Sequence, residues 1–465
     1  MSMLGRRTLL AAAASAAVLT TGAAGIAQAA PAEKTVTLNG FDAPGPAKYD
    51  KVKVVQTGPS SAKNVLVLVP GTSAGAGYFL PLARTLATEL KGWQIWSVER
   101  RENLLEDQSG LDRYKRGQID AETFFTYYLG WIGSPAAPAQ HFTPPTDASV
   151  GFAREWGMNV AVEDLKRVVT SAKKGGRKVV MAGHSLGGSI TAAYATWDFK
   201  GRAGVKDLDG LVMIDGGSGP GTKERPTYTP AMAKEALGKL ATESPFLDLT
   251  GLKLPWSAGV FNAVGSTLAL KAPNAPARLG AWPLLPANLK PPVAATNRGG
   301  YGFALDTETG PESLALVQMH LGHLASSGDP RGWEDGELVS FDRAATAFSG
   351  PVGMDGTAWY HPRRLTLDAS VVAGGVKNPG QKTLGVQATH AKDVDVPIYA
   401  IATSLGGERV LKGARLLAQN GTTKAKDVKL VDRHTTEAHL DPIAADPEKS
   451  TFVKTVVPFL KKAVR

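Results

Sequence analysis

Gly183-His184-Ser185-Leu186-Gly187 puts a hydroxyl where it could act as a nucleophile. Before it, Lys178-Val179-Val180-Met181-Ala182 is a short apolar, β-branched stretch that predicts a buried strand. After it, Gly188 to Ala195 runs through small, helix-compatible residues. A strand, a turn with Gly two positions either side of a Ser, then a helix is the context that makes G-x-S-x-G a nucleophile elbow. The glycines are needed for a steric reason, because a Cβ at Gly183 or Gly187 would collide with the neighbouring strand or helix. The serine itself must take up strained backbone. That strain lifts Ser185 Oγ clear of the sheet, and the helix N-terminus behind it favours negative charge. With 52 glycines in the chain the five-residue pattern alone is weak; its flanks single it out.

A serine hydroxyl is a weak nucleophile until a base removes its proton, so a histidine must serve it. There are eight. His184 adjoins the serine, and its side chain is expected to point away from the reaction. His320 and His323 fall three apart on an expected helix, Glu312 to Ala325. That spacing could suggest a metal pair, but no third ligand is near in sequence, so packing or surface roles are expected and no metal. His141, His361 and His390 have no supporting pattern. His434 and His439 both follow the last expected strand, where a loop can return to the top of a sheet. His439, in Ala438-His439-Leu440-Asp441-Pro442, lies farther past the strand and leads into a turn. It is the expected base, with His434 its rival.

The elements that must position these groups alternate. Expected strands are Lys51 to Val55, Asn64 to Val69, Trp93 to Val98, the stretch before Ser185, Gly210 to Asp215, Val396 to Ala402 and Val428 to Val431. Leu80, Leu82, Leu86 and Leu90 mark a helix, Asp164 to Val169 lies in another, and others fall near Val410 to Leu417 and Thr451 to Ala463. Strand–helix–strand alternation with near-continuous apolar strands implies parallel pairing and right-handed crossovers. Two segments break the rhythm. Residues of about 99–155 carry an aromatic cluster (Phe124, Phe125, Tyr127, Tyr128, Trp131), and 216–395 is rich in Pro, Gly and Trp. The expected organisation is residues 1–30 as an export signal, 31–215 and 396–465 as one α/β core, and 216–395 as a cap insertion.

With 465 residues, 43% hydrophobic and 20% charged, the chain has the composition of an ordinary globular protein. Its net charge of +10 is scattered without a recognition motif, which argues against nucleic-acid binding. Cysteine is absent, excluding disulfides and thiolate metal sites. Arg6-Arg7, Thr8-Leu9-Leu10, a long Ala-rich run and Ala27-Gln28-Ala29 follow the order of an export signal with an A-x-A cleavage site. The paired arginines resemble a twin-arginine signal. No other stretch is long and apolar enough to span a bilayer. The expectation is a secreted protein without a stable membrane span.

Taken together, the elbow, the alternation and the late histidine resemble the α/β-hydrolase superfamily, whose catalytic groups run in chain order Ser, acid, His. The resemblance covers most of the chain outside the insertions. It implies a mostly parallel central sheet flanked by helices, with a large cap insertion. In that family the acid follows either of two late strands. Asp215 ends the strand after the elbow helix; Glu408 lies past the next one, in a loop where most members carry Asp. Asp215 is the expected acid and Glu408 the alternative. One oxyanion-hole amide is expected from Leu186. The other is expected from the loop Val69 to Gly75, where Pro70-Gly71-Thr72 is similar to a Pro-Gly-Thr loop of a family lipase and points to Thr72.

The activity so implied is hydrolysis of a small-molecule or lipid-like ester through an acyl-enzyme, without cofactor. Trp256, Phe261, Trp282, Leu284 and Leu285 could line an apolar pocket or simply fill the cap's own core. A serine peptidase, an acyltransferase, or a non-catalytic envelope or lipid-binding protein would carry the same pattern. Epoxide hydrolase and dehalogenase relatives need Asp where Ser185 stands.

Overall fold

The computed structural model describes residues 30–132, 138–217, 227–375 and 377–464; the expected export signal, apart from Ala30, lies outside them. Eight strands form one sheet. In chain order they are β1 (Glu33–Asn39), β2 (Lys51–Thr57), β3 (Asn64–Val69), β4 (Trp93–Glu99), β5 (Lys178–His184), β6 (Gly210–Ile214), β9 (Ile398–Ala402) and β10 (Val428–Asp432). Between β6 and β9 the chain adds a small antiparallel pair, β7 (Gly322–Gly328) and β8 (Arg331–Asp335). The spatial order of the main sheet is β1-β2-β4-β3-β5-β6-β9-β10. Only the β1–β2 and β2–β4 pairings are antiparallel. This is the mostly parallel, helix-flanked sheet of the α/β-hydrolase fold.

Burial follows position. β3, β5, β6 and β9 are apolar on both faces because helices cover both, whereas the edge strands β1 and β10 keep polar residues outward. Leu66, Leu68, Val180, Ala182, Val212 and Ile214 face one core, with helices Leu80–Glu89 and Thr451–Ala463 against it. Val65, Val67, Val69, Val179, Met181, Leu211 and Met213 face the other. That side is closed by helices Met158–Ala172, Leu186–Thr196 and Glu408–Asn420.

The long insertion is threaded into both cores. Val260, Val264 and Leu268 of helix Ser257–Lys271, with Phe341, Ala345 and Phe348 of helix Phe341–Ser349, join the first. Leu365, Val371, Leu384, Val386 and Val394 join the second. The earlier insertion meets it through aromatic rings: Tyr128 packs edge-on to Trp359 at 5.7 Å, and Phe142 edge-on to Trp256 at 5.1 Å. Trp256, Trp282 and Leu285, considered above as pocket residues, are buried in this packing, and Leu284 is exposed.

One expected element differs. Of the helix anticipated from Glu312 to Ala325, only a single 3-10 turn forms at Glu312–Leu314. Gly322 has φ +126, which ends helical propagation, and pairing with β8 claims the residues beyond it.

The junction of sheet and N-terminal loop rests on one buried carboxylate. Asp164 accepts two bonds from Arg101, at 2.7 and 2.8 Å, and one from the Phe41 amide at 2.6 Å. Asp50 and the Phe41 carbonyl supply the guanidinium's other partners, at 2.9 and 2.8 Å. Removing one member of a buried ion pair strands the other, so Asp164→Ala is expected to lower the unfolding free energy by about 3–5 kcal/mol in urea titration. A loss below about 1 kcal/mol would mean that Asp50 and the Phe41 carbonyl suffice to satisfy Arg101.

Candidate active site

Sheet register delivers the site. Val69 of β3 pairs with Gly183 of β5, and His184 of β5 with Ile214 of β6, so the loops leaving these strands emerge side by side. Ile214 in turn pairs with Ile401 of β9. Ser185, Asp215, Thr72 and the loop after β9 therefore start at the same edge of the sheet.

Ser185 adopts φ 54°, ψ −124°, between the end of β5 and the elbow helix Leu186–Thr196. Its amide donates to Ile214 O at 2.9 Å, and its side chain is half-buried. The two flanking glycines are required sterically. A Cβ on Gly183 would sit 2.0 Å from Gly187 O, and one on Gly187 would sit 2.1 Å from Val69 O. Positive φ at a non-glycine residue is costly, and among the described residues only five carry it: Ser73, Ser185, Lys200, Asp215 and Lys253. Three of the five belong to this site, the clustering expected where function holds strain in place.

Asp215, at φ 43°, is fully buried and surrounded by donors. Thr403 N donates to Oδ1 at 2.7 Å, and Gly406 N and His439 Nδ1 donate to Oδ2 at 3.1 and 2.6 Å. Burial alone would raise its pKa. The His439 bond and charge, with the Thr403 donors, outweigh it and hold the carboxyl below its ordinary range. An ionised Asp215 keeps the proton on His439 Nδ1, which leaves Nε2 as the basic nitrogen.

The alternative acid, Glu408, lies elsewhere. It opens helix Glu408–Asn420, more than half exposed, and pairs with Lys412 at 3.2 Å. The loop that carries it supplies backbone amides to Asp215 instead of a carboxylate. His434, the rival base, is bound to Asp432 at 2.6 Å on the surface.

His439 is buried, and its loop is braced by Asp441, which accepts from Ala438 N at 2.7 Å, His320 N at 2.9 Å and His320 Nδ1 at 2.5 Å. This bond raises the His320 pKa. His320 thus pairs with a carboxylate two residues beyond His439, and His323 lies 3.4 Å from Glu334. His184 turns into the interior. Its Nε2–H donates to His439 O at 3.0 Å, its Nδ1 accepts from Tyr78 Oη at 3.1 Å, and its ring centroid is 4.4 Å from that of His439. Burial, then the neighbouring His439, pushes its pKa down to about 3, so it is a neutral structural link.

The loop after β3 presses against the serine: a Cβ on Gly71 would lie 2.9 Å from Ser185 Cβ. Its shape is clamped from several sides. Ser73 N donates to His361 Nδ1 at 3.3 Å, Ala76 N to Glu99 Oε2 at 2.5 Å, and Ala358 N to Ser73 O at 2.9 Å. The amides of Thr72 and Leu186 bond no group among the described residues and remain free to donate. Ser185 Oγ likewise has no partner among them, and no bond joins it to His439. His439 is placed by the ring of His184, the residue before Ser185, at 4.4 Å between centroids and by its bond to Asp215. Catalytic hydrogen bonds are often loose before substrate arrives.

Tyr78, Arg100 and His361 were not anticipated as site residues. Tyr78 and Arg100 sit in or just after expected elements with nothing in their spacing to mark them. His361 reaches Ser73 across 288 positions of chain, which no local pattern records.

No protein-family model and no curated protein sequence matches the chain. Solved structures resemble it at low identity. A protein assigned as a lipase, from Sulfolobus solfataricus, is 13% identical over 92% of this chain and 94% of its own, with TM-score 0.48. An α/β-hydrolase-fold protein from Nakamurella multipartita is 12% identical over 93% and 100%, with TM-score 0.41. An epoxide hydrolase from Vigna radiata is 13% identical over 92% and 98%, with TM-score 0.42. The strand order and the elbow of this chain itself carry the fold assignment.

Two measurements test the site's construction. Gly187→Ala is expected to yield insoluble or unfolded protein, whereas Gly238→Ala, in helix Pro230–Thr242 with open space around it, is expected to gain up to about 1 kcal/mol. In NMR titration the ring signals of His184 should stay constant from about pH 5 to 8 while His320 titrates above the free-histidine value of about 6.5. The depressed folded pKa of His184 means its contribution to stability is complete above about pH 6.5 and is lost as pH falls toward about 3. A His184 midpoint near 6.5 would contradict the buried link.

Proposed function

We propose that this α/β-hydrolase-fold chain is a serine hydrolase that cleaves carboxylic esters of small or lipid-like substrates. The observation that carries the reading is the 2.6 Å bond from His439 Nδ1 to buried Asp215, whose strand β6 ends in register with the strand that leads into the elbow serine and its strained backbone. Ser185 Oγ attacks the ester carbonyl as His439 Nε2 takes its proton. Asp215 orients the imidazole and stabilises its charged form without accepting a proton itself. The amides of Thr72 and Leu186 receive the oxyanion; one such donor is worth about 3 kcal/mol to the transition state. His439 then protonates the leaving alcohol, and water, activated by the same nitrogen, releases the acid.

Export is proposed with it, on the basic, apolar and A-x-A segments of residues 1–30. Among the described residues no helix is long and apolar enough to cross a membrane. A peptidase or acyltransferase would use the same groups. Product analysis with added alcohol or amine acceptors separates those outcomes from hydrolysis.

The deciding experiment pairs a fluorophosphonate probe with a chromogenic ester series. Wild type is expected to label and turn over; Ser185→Ala should not label, and Asp215→Ala should lose about 10⁴-fold in kcat. Glu408→Ala should stay within about twofold, as surface substitutions do. Folded wild type that neither labels nor hydrolyses any ester sinks the proposal in favour of a binding protein. Loss of turnover in Glu408→Ala with Asp215→Ala intact would reassign the acid.

A further inference from the structure

Below the loop that carries Thr72 lies a buried arginine with no part in the reaction scheme. Arg100 follows β4 directly and is 7% exposed. Its Nη1 donates to Pro70 O at 2.7 Å, its Nη2 to Gly71 O at 3.0 Å, and its Nε to Glu102 Oε1 at 2.5 Å. Glu102 is itself buried.

Each of the two carbonyls is one end of a planar peptide whose N–H points the opposite way. Pro70 C=O shares its peptide with Gly71 N–H, and Gly71 C=O shares its peptide with Thr72 N–H. A cationic donor on a carbonyl oxygen draws electron density from the amide nitrogen. The N–H at the far end becomes the better donor, and bonds in such chains strengthen one another. Pinning both oxygens on one rigid guanidinium also fixes the direction of both amides.

The two amides lead to different ends. Gly71 N–H donates to Tyr78 Oη at 3.2 Å, Tyr78 donates to His184 Nδ1, and His184 donates to the His439 carbonyl. Thr72 N–H is left without a partner among the described residues, one position past the Gly71 that presses against Ser185. Arg100 therefore stands at the head of two branches, one ending on the backbone of the base and one on the amide offered to the substrate.

We propose that Arg100 is a positioning residue for ester hydrolysis, aiming and polarising the Thr72 amide toward the developing oxyanion while Tyr78 and His184 tie the same loop to His439. The inference rests on the serine-hydrolase reading. A purely structural arginine would satisfy the same two carbonyls, but its loss would lower the amount of folded enzyme and leave transition-state affinity in the surviving molecules unchanged.

The test measures kcat per active site, counted by fluorophosphonate titration, in Arg100→Lys and Arg100→Gln. Binding of a trifluoromethyl ketone, which forms an oxyanion on Ser185, is compared with binding of the product alcohol. Expected is a fall of about 10- to 100-fold in kcat per titrated site, less than the loss of an oxyanion donor outright. KM should stay within about threefold and ketone affinity should fall in step with kcat/KM, while alcohol affinity holds. Variants turning over at the wild-type rate per titrated site overturn the inference, as does an equal loss of ketone and alcohol affinity. Should both variants fail to fold, Glu102→Gln decides, because it keeps Arg100 and loosens its Nε. A kcat per site lowered about 3- to 10-fold with KM unmoved supports the proposal, and an unchanged kcat rejects it. Wild type that neither hydrolyses esters nor takes up the probe rejects the serine-hydrolase reading and this inference with it. Wild type active with the Arg100 variants equally active rejects the inference alone.

Discussion

An ionised carboxylate with no exposed surface must be met by donors from every direction, and that constraint organises the end of the sheet that carries Ser185. Asp215 draws its donors from two separated parts of the chain: Thr403 and Gly406 in the loop after β9, and His439 after β10. None of these can move far without stranding a buried charge. The carboxylate itself sits in strained backbone at the end of β6, one residue from a glycine that abuts Ser185. Sheet register, loop closure and histidine tautomer are thus coupled through one side chain. The long insertion adds its part at one remove, by holding Asp441 and hence the His439 loop through His320.

A second buried polar region joins insertion to core. Glu99, held by the Ala76 amide, is pushed up by burial to about 7, and Asp355 and Glu106 are raised for the same reason. Their neighbours are donors from both segments: Thr357 and Trp359 from the insertion, Gln108 from the loop after β4. Lys115, lowered by burial to about 8, spends its ammonium on the carbonyls of Ser349, Pro351 and Met354. Such networks specify a single docking of the two segments, since each misplaced group would be left unsatisfied.

How much of this could be read from sequence follows from the range of each interaction. The elbow is local: five residues and their flanks contain the whole steric argument, so Ser185 and its glycines were legible. Asp215 and His439 were legible by position, because each follows a recognisable apolar strand. On that ground Asp215 is expected ahead of Glu408, but what makes its pairing with His439 form is not local. It depends on where the loop after β9 sends its amides, a matter of three-dimensional closure at Gly406. Arg100, Tyr78 and His361 carry no site signal in the sequence for a related reason. Their partners are mostly backbone groups of the Pro70–Ala76 loop, and backbone groups have no sequence signature. The stretch around His320 failed differently, since tertiary pairing of β7 with β8 overrode a plausible helical pattern.

The threading of residues 216–395 through both hydrophobic cores has a consequence for how a substrate could enter. A hinged flap that swung away as one body would drag Val264, Leu268, Phe348 and Leu365 into water. Exposing even about 1,000 Å² of such surface costs about 25 kcal/mol, beyond the roughly 5–15 kcal/mol that holds an entire domain together. Rigid-body departure of residues 216–395 is therefore excluded as a route to the half-buried Ser185, and any opening there is confined to side chains and short turns.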